Sequence, residues 1–463
     1  MKIALCHFRV GETDGVSLEM EKWKTVLEKK GHEVFFLAGS QGRAEAYIIP
    51  ELHYLNEDNN RYVRNAYEAL TDYENEPAFK AEVLSFAARL EAGLESFIKH
   101  YGIEMLVINN IWSLGWGLPA ALAFDSIVRK HRIPCVAHHH DFYWERERYS
   151  RPTCGFVREC LDNCFPPRHE LVRHVVINRI AALEMKRRKG MDTVIVPNVF
   201  DFEAPVWSAD DYNKDFRERI GLKDNDLLVL QATRIERRKA IELAVDVVGE
   251  LGKPGIRKWL EKHGLYDGRS FESGSRIVLV LAGLKEAEVS YIEALKDRAL
   301  KKGVELLFIN DVIEHSRCNI NGRKCYSLWD AYVFADLITY PSILEGWGNQ
   351  LLEGFFSKKP IVVYEYPVFE TDIKEKGFGV ISLGSSHRVG EDGLAYIEDA
   401  VISAAAEECM TMLTDKKKRT AQTETNFQLG REHFSYESLL KSLSQIFDAK
   451  CNKQADASGH TIK

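Results

Sequence analysis

Short, mainly apolar runs alternate along this chain with stretches whose apolar residues recur every three or four positions. The runs Lys2 to Phe8, Glu33 to Ala38, Glu104 to Trp112, Leu227 to Gln231, 276–283 (RIVLVLAG) and 336–342 (DLITYPS) predict buried strands. Helices are predicted at about 18–30, 179–189, 287–302, 326–335 and 349–357, with Asn349 as the N-cap of the last. From Asn56 to Tyr101 the pattern is helical, with Leu84, Phe86, Leu90, Leu94 and Phe97 at near-helical spacing. Strand, glycine-containing loop and helix following one another predict an α/β chain with doubly wound sheets.

At 463 residues the chain is too long for one ordinary core. A second strand–helix series after PNVFDFEAPVW predicts a first domain at 1–200, a linker at 201–225 and a second domain at 226–434. Residues 435–463 are expected to form a helix that packs back on the first domain, followed by a disordered polar tail. A net charge of -7 argues against general nucleic-acid binding. Nine cysteines without small-scaffold spacing point to reduced thiols. The apolar run at the start is too short for a secretory signal, and no stretch approaches the ~20 apolar residues of a membrane span. The expectation is a soluble cytoplasmic protein with no stable membrane association.

Candidate chemistry collects at predicted strand ends, where open parallel sheets bind ligands. LEGWGNQLLEGF, 344–355, carries Glu345 in a loop and Glu353 in a following helix, bracketing a helix N-terminus. An offset of eight residues is about 12 Å along a helix, long for the paired carboxylates of a glycosidase. The alternatives are carboxylates that accept hydrogen bonds from sugar hydroxyls, and plain solvent-facing glutamates. Arg234 and Lys239 flank a predicted helix start, where two cations could hold a diphosphate; Arg237 and Arg238 read as its exposed basic surroundings. His138, His139, His140 and Asp141 end another strand, and alternation along it forbids all three imidazoles from serving one site. The segment 146–189 holds eleven Arg or Lys against five Asp or Glu, which suits either an anionic acceptor or a solvated face. Cys154, Cys160, Cys164 and His169 lack zinc-knuckle spacing, so no metal ligand set is expected.

These pieces resemble the family-4 retaining glycosyltransferases of the GT-B fold. The resemblance rests on the glycine loop near the start, HHHD, VPNVFDFE, RIERRK and EGWGNQLLE, the last two being its most specific motifs. It implies two Rossmann-like domains facing across a cleft that closes for catalysis. It implies His140, Asp141 and Glu345 at the reacting centre, with Glu345 holding hydroxyls of the transferred sugar. Gly15, Arg234, Lys239, Gly346, Gly348, Asn349 and Glu353 would bind the sugar-nucleotide donor, Glu353 through the ribose. Where the family often has a Gly-Gly pair, this chain has Asp14-Gly15. His139, Tyr143, Arg146 and Arg148 are assigned to the acceptor. The leaving diphosphate would help deprotonate the acceptor, with no cofactor required and Mg²⁺ at most stimulatory. GETDGVSLEM and the overall layout are similar to a narrower bacterial group that transfers mannose from GDP-mannose to a small soluble glucosylated (phospho)glycerate. The rivals are glucose transfer from UDP- or ADP-glucose and a GT-B glycoside phosphorylase.

Overall fold

The structure, a computed structural model, describes residues 1–12 and 14–458. It divides into two compact units, one made of 1–199 with the segment from Tyr436 onward, the other of Phe200–Ser435.

In the first unit seven strands form one parallel sheet. Its order is Tyr47–Ile48, Glu33–Ala38, Lys2–Cys6, Met105–Asn109, Cys135–His139, Val172–Val176 and Val194–Ile195. Alternation along each strand sends side chains to two separate cores. Ala4, Cys6, Leu106, Ile108 and Ala137 face the helices Glu76–Tyr101, Leu118–His131 and Gly155–Cys164. Ile3, Leu5, Met105, Val107 and Val136 face Gly15–Lys29 through Met20, Trp23 and Leu27. That second core also takes in Leu439, Leu443, Ile446 and Phe447 of the last helix, Tyr436–Ser458. Of the polar tail expected to be disordered, 459–463 lie outside the described residues.

The second unit repeats the plan with six parallel strands. They run Glu305–Phe308, Ile277–Leu281, Leu227–Gln231, Leu337–Tyr340, Ile361–Val363 and Ile381–Ser382. The segment 201–225, read above as a linker, clusters with this unit. Phe200, Phe202 and Trp207 explain why: their rings pack on Trp329, Phe356 and Phe427. Numbered by chain order within its own sheet, each unit begins 3-2-1-4-5-6, so each has a point where the strand order reverses, between its first and fourth strands.

Three local expectations need correction. The helical stretch 56–101 is two helices, Glu57–Tyr67 and Glu76–Tyr101, because Asn75 caps a new start by accepting from the Ala78 N–H. Leu84 is 43% exposed while Phe86, Leu90, Leu94 and Phe97 are buried, since position 84 is two residues out of phase with that apolar stripe. Asn349 is the first helical residue and not the N-cap, a position held by Gly348 at φ +122°.

Candidate active site

At the switch point of the second unit, the loops after Gln231 and Tyr340 meet. Gln231 and Thr339, on the two adjacent central strands, are tied by a 2.6 Å hydrogen bond from the threonine hydroxyl. Gly283 lets the neighbouring loop close in: a Cβ there would lie 1.8 Å from the Thr233 carbonyl oxygen. The turn Arg237–Lys239 then enters the helix Ile241–Leu251. Its Lys239 side chain is 5% exposed and bonded to Oε1 of Glu345, whose side chain is 9% exposed. Arg238 donates from Nη1 to Oε2 of the same carboxylate at 3.0 Å and to the Leu344 carbonyl at 3.1 Å, while its Nε donates to Glu236 at 2.8 Å. Burial pushes the Glu345 carboxyl up, but the charges of Lys239 and Arg238 outweigh it and hold it below the ordinary glutamate value.

The following helix, Asn349–Phe356, is entered through Gly348. A Cβ at Gly348 would sit 2.3 Å from the Tyr366 hydroxyl, which itself donates to the Trp347 carbonyl at 2.7 Å. Tyr340 and Tyr366 back this turn with rings 5.9 Å apart. Glu353 is buried in the helix and accepts from the Tyr332 hydroxyl at 2.9 Å. Glu345 and Glu353 therefore answer to different partners: two cations for the first, a phenol for the second.

Arg234 lies at the same rim but points elsewhere. Its guanidinium is half exposed and pairs with Glu286 at 2.7 Å and Glu236 at 3.5 Å. The structure thus groups Lys239 with Arg238, which its spacing alone assigns to the exposed surroundings. Arg237 instead reaches the Gly393 carbonyl at 3.2 Å and lies over the Tyr291 ring. Nothing in the spacing separates the two neighbours, because the partner that distinguishes them is 107 positions away.

The switch point of the first unit collects His7, Asn109, Asn110 and the histidine run. His138 and His140 share a face, their rings 4.3 Å apart, and Trp23 stacks on His138 at 4.4 Å. The Asn109 amide donates to the Cys6 and Val107 carbonyls, which leaves its oxygen to accept from Nδ1–H of His138 at 3.1 Å. His138 Nε2 is then a bare lone pair, buried without a partner, and His140 Nε2 is likewise buried and unpartnered. Burial pulls the His140 imidazole down to about 4 against the opposing charge of Asp141. Asn110 joins the pair, accepting from the His140 backbone N–H at 2.8 Å and donating to Asp141 at 2.8 Å. Arg146 completes the group through Oδ2 of Asp141.

His139 points to the other face and is fully committed. His174 Nε2 donates to the Pro167 carbonyl at 3.1 Å, so its Nδ1 accepts from His139 Nε2–H at 3.1 Å, and His139 Nδ1 accepts from the Ser113 hydroxyl at 2.7 Å. An acceptor contact from this ring requires one of those bonds to break. Tyr143 packs on the core beside the Gly155–Cys164 helix, with Lys189 over its ring, and Arg148 pairs with Glu68 at 3.3 Å. Gly15 opens its helix in an exposed position, capped by Asp14, which accepts from the Val16 and Ser17 N–H groups. The positive φ of that loop falls at Gly11, +71°. Much of the basic excess of 146–189 is spent internally: Arg168 on the Lys189 carbonyl, Arg173 on Gln445 and Ile446, Arg187 and Arg188 on Glu184. Among the described residues no set of three or more His, Cys, Asp or Glu side chains is placed to hold a metal ion, and no helix is long and apolar enough to cross a membrane.

Two Rossmann-like units, each carrying polar groups at its own switch point, define the GT-B class of glycosyltransferases. The crystal structure of a glycosyltransferase from Rickettsia africae shares the fold at a TM-score of 0.61, with 12% identity and coverage of 97% of this chain and 98% of that one. The mannosylglucosylglycerate synthase of Thermotoga maritima is 41% identical over 96% of this chain and 99% of its own length. That of Petrotoga mobilis is 39% identical over 94% and 98%. The chain belongs to the mannosylglucosylglycerate synthase family, and it is a glycosyltransferase. No family model matches it.

Proposed function

We propose that this protein is a retaining mannosyltransferase that moves mannose from GDP-mannose to a glucosylated glycerate. The observation that carries the reading is the buried Lys239–Glu345–Arg238 cluster at the switch point of the second unit. Its support for this particular substrate pair is the name shared by the two relatives near 40% identity. The acceptor is small and acidic on this reading, and Arg146, exposed beside Asp141, is the cation best placed at that rim to meet a carboxylate.

In the reaction the bond from the sugar C1 to the diphosphate oxygen breaks as a bond from C1 to an acceptor hydroxyl oxygen forms on the same face. The hydroxyl proton passes to the departing diphosphate. Lys239 and Arg238 neutralise the charge that grows on that group, with Arg234 as a further cation at the same rim. Glu345, relieved of one or both cations, accepts from hydroxyls of the transferred sugar, and Glu353 from the ribose. In the first unit, His140 and Asp141 offer acceptors to hydroxyl groups. A neutral imidazole suits that role, since it can accept from a hydroxyl without adding positive charge. With protein cations at the diphosphate, Mg²⁺ is stimulatory rather than required. The enzyme works in the cytoplasm, away from nucleic acid and without stable membrane association, in keeping with its net charge of -7.

The test is turnover followed by proton NMR. GDP-mannose and glucosylglycerate should give GDP and a product whose new anomeric signal has the donor's configuration. An inverted anomeric signal would remove the retaining mechanism. Turnover with UDP- or ADP-glucose and none with GDP-mannose would move the assignment to glucose transfer.

A further inference from the structure

A three-stranded sheet in the second unit ends in the hairpin Cys318–Ile320 and Arg323–Ser327. Its two-residue turn, Asn321-Gly322, has φ +52° and +79°. Two successive positive values match the turn whose twist suits a tight hairpin, and a turn of this length fixes the register. In that register Cys318 stands directly opposite Cys325. Directly opposed residues project to the same face, with Cα atoms about 4.5 to 5.5 Å apart. Disulfides span Cα separations of about 4.4 to 6.8 Å, and the separation of directly opposed residues falls within that range.

We propose that Cys318 and Cys325 form a reversible disulfide, making this hairpin a modification site for low-molecular-weight disulfides of the glutathione type. Both cysteines are free here, Cys318 partly exposed and Cys325 buried, and the two thiols interact with each other. The hairpin is held from outside at the level of the pair. The Tyr212 hydroxyl reaches the carbonyl oxygens of both cysteines, at 3.0 Å and 2.7 Å. Arg317, next to Cys318, is locked to Asp330 and Asp210, and Lys324, next to Cys325, to Asp215. These bonds keep the thiols opposed whichever redox state they occupy.

Exposure sets the order of events. The thiolate of Cys318 attacks one sulfur of the small disulfide, expelling the first thiolate and leaving a mixed disulfide on Cys318. The thiolate of Cys325 then attacks the Cys318 sulfur and expels the second. Two protons leave the cysteines, two electrons pass to the small disulfide, and excess thiol reverses both steps. Desolvation and the neighbouring thiol raise the Cys318 group, so exchange should be faster at pH 8.5 than at pH 7.

The experiment treats the native full-length protein with oxidised glutathione at pH 8.5, blocks free thiols, and digests with trypsin. Cleavage after Arg317, Arg323 and Lys324 puts the two cysteines on separate peptides. The expected result is a linked species two hydrogens lighter than the sum of the two peptides, lost with dithiothreitol. It should be absent in Cys325→Ser, where a glutathione adduct stays on Cys318. A persistent Cys318 adduct in the unsubstituted protein, with no linked species, would overturn the proposal, as would the absence of any modification at either cysteine.

Discussion

The ammonium of Lys239 and the carboxylate of Glu345 are bonded to each other across the two loops that leave the central strands of the second unit. A buried pair of this kind contributes little by itself, but removing one partner strands the other charge, at a typical cost of 3–5 kcal/mol. Here Arg238 remains on Glu345, so Lys239→Ala should destabilise by less, about 1–3 kcal/mol. Glu345→Gln leaves two cations facing a neutral amide and should cost more than Lys239→Ala. Urea unfolding of the two variants and their double mutant checks the order. Additive losses would mean that the two groups do not act as a pair.

Arg237 and Arg238 are adjacent yet differently placed, and their substitution should separate them. Arg238→Ala removes charge-assisted bonds worth roughly 1.5–3 kcal/mol each and should lower kcat/KM by about one to two orders of magnitude. Arg237→Ala should change it less than about threefold. Steady-state kinetics with varied donor decides this, and equal losses would contradict the geometry.

Gly348 answers to two constraints at once, its positive φ and the Tyr366 hydroxyl. Gly348→Ala should cost about 1–3 kcal/mol in backbone strain, with a further loss from the clash. Adding Tyr366→Phe should recover the clash component only. Thermal melts of the single and double variants test it; full recovery would show that φ at this position carries no penalty.

The buried imidazoles of the first unit set a pH response. Burial drives His138 and His139 well below the ordinary value and takes His140 and His174 down to about 4. In the unfolded chain they titrate near 6.5, so between about pH 6.5 and 4 the unfolded state binds more protons. The stability they contribute is present above about pH 6.5 and is lost as pH falls towards 4, at roughly 3 kcal/mol at most for a group such as His174. His174→Gln should flatten the dependence of melting temperature on pH in that window. An unchanged slope would mean these rings are not buried neutral.

Much of this was legible in the chain because local signals agreed. Leu227–Gln231 and the helix Arg179–Lys189 lie where the pattern puts them, the strand as four apolar residues ending in Gln231 and the helix between the Asn178 cap and Gly190 at φ +62°. The alternation argument for the histidine run holds in space: His138 and His140 meet on one face, and His139 turns to His174 on the other. What stayed hidden depends on distant partners. Arg238 is singled out by Glu345, and the cap at Gly348 by Tyr366; neither relationship leaves a periodic trace. The break between Tyr67 and Glu76 was readable in principle from Asn75 and Pro77, but the apolar periodicity on either side masked it.

On the proposed reading, Lys239 and Arg238, the two cations held on Glu345, receive the donor diphosphate. Calorimetric titration of GDP-mannose, UDP-glucose, ADP-glucose and orthophosphate into the unsubstituted protein and into Lys239→Ala, shown by its melt to be folded, decides this. GDP-mannose should bind in preference to the other three, and its affinity should fall at least tenfold in the variant, about 1.4 kcal/mol. Equal affinity in the two proteins would contradict it.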